Sequence, residues 1–351
     1  MKHFNKIFLI AISIAVLSCD SKEETASSYD RKPILINISD SLILPAYSNF
    51  QLEVSEFQSG LNVYENEPAD ANMKQLREAW VQMALVWKYA EAYNFGPIES
   101  LFLENSMHYF PVDTAAISKA VENYSNQENY LASLGSNKKG LAAIEFILFS
   151  NDELSGQQLA FIQLLSTDLS NNMDKVLDKW NTAYHQEFID KTGNSASSSM
   201  TLVANEMIFL LEKVKNMKLG EPMGKADLGE PHPAKVESPY SNVSLELLAE
   251  NVESVKDVFN GGNGAGMDDY LNALDVKDDE GLLLTKKINQ QFDKVINIAR
   301  SIEEDLSSAI INQNPKLDEL YLEMINLTII IKNDMMSQLG LLTVFSDNDG
   351  D

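Results

Sequence analysis

In GLAAIEFILFS, Gly140 to Ser150, a single carboxylate, Glu145, stands in an apolar run with no cation beside it in sequence. Such a carboxyl is either a site residue or a buried acid satisfied from elsewhere, by Arg77, Lys139 or a backbone N–H. Left unpaired, burial would raise its pKa and favour the neutral acid. A histidine three residues earlier on a helix would share its face and complete a metal-ligand pair. Position 142 is alanine, so that pair is absent. A second set, Arg77, Trp80, Ala84, Trp87 and Glu91, recurs at three- and four-residue steps and shares one helical stripe. Its two charges either line a cleft or pair with another helix, or they snorkel at the edge of a tryptophan core.

Other candidates are sparser. Beyond the N-terminal segment the histidines are His108, His185 and His232, none in an H-E-x-x-H pattern. His185 and Glu187, two apart, point to different helix faces. All three read as surface or internally satisfied histidines. Cys19 is the only cysteine, which excludes structural disulfides and cysteine-rich metal or iron–sulfur sites. In DNDGD, Asp347, Asp349 and Asp351 alternate like the opening of a calcium loop, without its sixth-place glycine or twelfth-place glutamate. The glycine-rich NGGNGAGMDD from Asn260 has no following Lys-Ser/Thr and no preceding strand, so it reads as a loop and not a phosphate cradle.

These residues need elements to position them, and the spacing supplies helices. Apolar three-to-four periodicity runs through Met73 to Phe95, Leu154 to Phe188, Thr201 to Met217, Ser244 to Phe259, Leu282 to Ala299 and Lys316 to Gln338. Period-two alternation is confined to short candidates near PILINI, Pro33 to Ile38. The expected fold is therefore all-α, built of antiparallel helical bundles. Lys191 to Ser199 reads as a polar turn that ends on an N-cap serine. Residues 219–241, rich in proline, read as an extended crossing segment. The expected organisation is an N-terminal bundle at 34–192 and a C-terminal bundle at 193–351 that includes the crossing. Halves of similar size are compatible with internal duplication, although they do not align convincingly.

The N-terminus, MKHFNKIFLIAISIAVLSC, has a basic start, an apolar stretch from Ile7 to Leu17, and then Ser18-Cys19. The apolar run is short for a membrane span and fits a secretion signal over 1–18. Its ending resembles the lipobox of bacterial lipoproteins, which implies cleavage before Cys19 and acyl chains such as palmitate on its sulfur. Residues 19–33 read as the lipidated tether, and Lys22-Glu23-Glu24 resembles a surface-export signal of Bacteroidota lipoproteins. Outer-membrane anchoring follows, facing the periplasm or the cell surface. The whole chain carries a formal charge of −25 from 27 basic and 52 acidic residues. That balance repels nucleic acid and anionic lipid and suits cations.

Four ordered blocks resemble the imelysin family, named after an insulin-cleaving outer-membrane peptidase and found among iron-regulated envelope proteins. They are LREAWVQMALVWKYAEAYNFGPIES with Arg77, Trp80 and Glu91; GLAAIEF with Gly140 and Glu145; VESPYSNVSLELLAENV with Ser238 and Tyr240; and QLGLLTVFSDNDGD. The resemblance implies a pair of packed helical bundles, a polar cleft between them, and a link to iron uptake with iron-uptake proteins as partners. The family signature Gly-x-His-x-x-Glu places its histidine on Ala142, so hydrolysis is not expected. A ligand-binding envelope lipoprotein is the leading reading, and a metallopeptidase with an atypical signature is the alternative. A divalent cation (iron, zinc or calcium) would have Glu145, Asp347 and Asp349 as its candidate ligands.

Overall fold

The tryptophan stripe becomes the central helix of the molecule. The structure, a computed structural model, describes residues 29–344 except 128, 227, 228 and 279. The signal segment, Cys19 and the aspartates at 347, 349 and 351 lie outside the described residues. A first helical run passes from α1 (Lys32–Asn37) through a π-type turn at Ile38–Ile43 into α2 (Leu44–Asn66), and α3 (Asp70–Ala90) returns against it. Then come α4 (Thr114–Asn123), α5 (Gly140–Phe149), α6 (Gly156–Lys179), α7 (His185–Asp190) and α8 (Ser199–Lys213). The last long helices are α9 (Ser244–Asn260), α10 (Leu284–Arg300) and α11 (Pro315–Ile329). No strand forms among the described residues; Lys277 and Leu283 make an isolated bridge. No described helix is long and apolar enough to cross a membrane.

The all-α expectation is met, with local corrections. PILINI is not a strand. Pro33 suits the first turn of α1, and Ile34, Leu35 and Ile38 are buried together at helical spacing while Ile36 points outward. Ser198 occupies the N-cap position of α8, but its hydroxyl bonds Ser195 Oγ at 2.8 Å instead of capping. By contrast, Ser155 and Gln158 close a reciprocal capping box on α6. The described residues of 219–241 are not extended. They fold into turns held by backbone bonds such as His232 N to Pro222 O at 2.7 Å, with a 3₁₀ turn at Pro233–Lys235.

Trp80, Trp87 and Trp180 are fully buried, and the buried apolar residues form one continuous cluster from Ile34 to Leu341. α3 packs on α2 along one side and on α9 along another. It therefore presents its C-terminal end, with Lys88 and Glu91, to helices from the second half of the chain.

Candidate functional site

Two arrangements meet at the 237–241 segment. The first is built on α5. Its entry residue, Gly140, has φ +70°, and a Cβ there would stand 2.3 Å from the Met107 carbonyl oxygen, so only glycine fits. Glu145 lies mid-helix and is 1% exposed. Its Oε1 accepts hydrogen bonds from Tyr240 N (3.0 Å), Ser241 N (2.8 Å) and Ser241 Oγ (2.8 Å). The turn that aims these donors has Ser238 at φ +52°, and the Tyr240 ring packs on Phe146 at 5.2 Å. Burial pushes the Glu145 carboxyl up to about 7, against the opposing pull of the three donors.

The backbone N–H partner foreseen for Glu145 is thus present, whereas Arg77 serves another end. Its guanidinium donates to Leu148 O (3.2 Å) and Asn151 O (2.8 Å), closing the last turn of α5. Trp80 Nε1 donates to Leu141 O at 3.1 Å, near the first turn of the same helix. Arg77 and Trp80 therefore clamp α5 onto α3.

The second arrangement surrounds Glu91, which follows α3 in a short 3₁₀ turn and is 2% exposed. Its Oε2 faces Lys88 Nζ and Lys218 Nζ, each at 3.0 Å, and its Oε1 faces Lys213 Nζ at 2.9 Å. Lys88 Nζ also stands 2.7 Å from Glu237 Oε1 and 3.1 Å from His108 Nδ1. Lys218 Nζ donates to Asn251 Oδ1 at 2.6 Å, while Asn251 Nδ2 donates to Lys88 O and Glu91 Oε2. Burial would raise Glu91, but the ammonium groups of Lys213, Lys218 and Lys88 hold it well below the usual carboxylate range. Against the same desolvation, Lys218 and Lys88 bring Glu237 down to about 2. Burial, then the Lys88 charge, lowers His108 to about 3 and leaves it neutral. Its Nδ1 is then free to accept from Lys88.

The π-type turn Val214–Gly220 makes this possible. Residues five apart on an α-helix diverge by about 140°, whereas the wider π turn, with i→i+5 bonding, brings Lys213 and Lys218 to one carboxylate. The sequence shows Lys88 and Glu91 as an i,i+3 pair, but Lys213 and Lys218 give no α-helical signal. They were missed, as were Lys88, Asn251, Glu104 and Glu206.

Beside the network opens a cleft of about 650 Å³. Glu91, Asn94, Glu104, Glu206 and Lys213 supply its polar lining, and Phe209, Leu210 and Met217 an apolar wall. Lys213 Nζ bridges Glu91 and Glu104 at 2.9 Å each. Burial, reinforced by the Glu104 charge, pushes Glu206 up to about 8.

The chain matches the family model for imelysin over residues 43–327. It belongs to the imelysin family. It is also 24% identical over 238 residues to iron-regulated protein A of Synechococcus elongatus, covering 65% of this chain and 64% of that protein, under two thirds of its length. Its fold is similar to the crystal structure of an imelysin-like protein from Psychrobacter arcticum, with TM-score 0.78, 20% identity, 96% of this chain and all of that one covered. It is similar too to a protein from Parabacteroides distasonis assigned as an iron-regulated protein A precursor, with TM-score 0.70, 16% identity and coverage of 88% and 94%.

Within this imelysin-family fold, Glu145 and Glu91 both reach the 237–241 segment, Glu145 by direct hydrogen bonds and Glu91 through the lysines it shares with Glu237. For the expected divalent cation, the described residues include no group of three or more His, Cys, Asp or Glu side chains placed to hold a metal. The Asp347 and Asp349 ligands fall outside the described residues. The chain leading to them is tied back, since Asn205 on α8 bonds both Leu342 O and Val344 N.

Proposed function

We propose that this imelysin-family chain is a non-hydrolytic envelope lipoprotein, anchored through Cys19, that binds a ligand in the cleft beside Glu91 and acts in iron-responsive uptake with envelope iron-uptake proteins. The observation that carries the non-hydrolytic reading is the state of the signature carboxylate. Glu145 directs one oxygen to three donors of the 240–241 turn, and its histidine partner is replaced by Ala142. A hydrolytic metal needs about three protein ligands and an open position, whereas Glu145 and Glu91 here serve as acceptors for the protein's own donors. Binding is supported by the cleft, whose mixed lining of carboxylates, amides and apolar side chains suits a ligand site. The iron link is supported by the similarity to iron-regulated protein A.

The test is incubation of the purified protein with insulin and a mixed peptide library, with zinc, ferrous iron or calcium added, or with a chelator. No cleavage is expected under any condition. Chelator-sensitive cleavage that disappears in Glu145→Gln would overturn the reading in favour of a metallopeptidase.

A further inference from the structure

We propose that the cleft takes an organic monocation, a primary amine or guanidinium on a short hydrocarbon arm, with Glu206 as its counter-ion. This rests on the binding reading above. Among the charged side chains that line the cleft or pair with its lining, the charges balance in all but one place. The ammonium groups of Lys88, Lys213 and Lys218 face the carboxylates of Glu91, Glu104 and Glu237, and His108 is neutral. Glu212 is paired with Lys332 at 2.8 Å. Glu206 is left over: among the described residues it makes no hydrogen bond or ion pair, and Lys213 is already held between two other acids.

A second acceptor lines the same cleft. Asn94 Oδ1 is buried and has no hydrogen-bond partner. Along the same face of α8, one turn after Glu206, Phe209 and Leu210 add apolar lining, with Met217 beyond them. A ligand that satisfies all three features carries N–H donors, one positive charge and a few methylenes. A neutral apolar molecule would leave Glu206 and Asn94 unmet, and an anion would face Glu104 and Glu206 directly. A bare dication would need more ligands, and no trio of acidic, His or Cys side chains stands together among the described residues.

Burial keeps Glu206 protonated at neutral pH, with Glu104, Glu91 and Glu99 adding to the effect and Lys213 opposing it. The buried Tyr47 hydroxyl also feels this carboxyl. An arriving cation draws the proton off. Binding at pH 7 then releases close to one proton, and affinity rises about tenfold per pH unit below the Glu206 pKa.

The experiment is calorimetric titration of the purified protein with agmatine and n-pentylamine, in two buffers of different ionisation enthalpy. Pentan-1-ol and pentanoate serve as controls, and each ligand is repeated on Glu206→Gln. Saturable binding of the two cations is expected, with proton release and a loss of at least tenfold in Glu206→Gln. Circular dichroism and a thermal melt establish that the variant is folded. Equal binding of the alcohol or the carboxylate, no binding of either cation, or undiminished binding by folded Glu206→Gln would overturn the proposal. None of these results touches the peptide-cleavage assay, so failure here and failure of the non-hydrolytic reading are separately visible.

Discussion

At the scale of the residue, Glu145 shows how a sequence can expose a site without its role. Its isolation among apolar neighbours identified a buried acid, and a backbone N–H was among the partners the sequence allowed. That the donors would be Tyr240 and Ser241 depended on a turn some 95 residues away, which no local pattern encodes. The energetic consequence can be measured. Burial raises this carboxyl from an ordinary 4.5 to about 7, so the folded state holds a proton that the unfolded chain releases. Between those values stability falls as pH rises, by roughly 3 kcal/mol at most for a shift of this size. Glu145→Gln keeps the shape and an acceptor oxygen but cannot ionise. Urea unfolding at pH 5 and pH 8 is expected to show a smaller loss of stability with rising pH in the variant. Glu206 contributes a slope of the same sign, so flattening will be partial, and an unchanged slope would mean that Glu145 is already ionised at pH 5.

At the scale of the element, α3 and α9 were legible because apolar spacing fixes a helix and its buried face together. The π-type turns were not. Periodicity at 3.6 residues carries no notice of an inserted residue, so the turn at Val214–Gly220 was divided between a helix ending at Met217 and a crossing segment from Leu219. The same limit applied to α1, where a buried face of only three residues imitated strand alternation. Packing on α5 leads to a prediction about the missing signature histidine. Ala142 is 3% exposed, and enlarging a well-packed site usually costs about 1–3 kcal/mol. Ala142→His is therefore expected to lower the melting temperature without creating a tight zinc or ferrous site, because Glu145 keeps its bonds to the 240–241 turn. Stoichiometric metal binding by Ala142→His, with its fold intact, would instead mean that the histidine alone separates this chain from a metal-binding relative.

At the scale of the whole molecule, the ion network joins α3, α9, the π-type turn after α8 and the 237–241 segment, so its charges hold distant parts of the chain to each other. Lys88, Glu91, Lys218 and Glu237 are each 2% exposed or less, and removing one member of such a set strands the others. Lys88→Met is expected to destabilise the fold by about 3–5 kcal/mol near neutral pH. The pH dependence discriminates this cause from simple loss of packing. Glu91 and Glu237 are held below their ordinary value, Glu237 at about 2; the stability they give is complete above about 4.5 and is lost as pH falls through their lowered values. Without Lys88 both acids rise, so the gap between wild type and variant should narrow on acidification, whereas a cavity alone would cost the same at every pH. Adding Glu237→Gln to Lys88→Met should recover part of the loss, since the orphaned charge is then gone. A gap constant between pH 7 and pH 3, or strictly additive single effects, would mean that these helices are held by apolar packing and that the buried charges are bystanders.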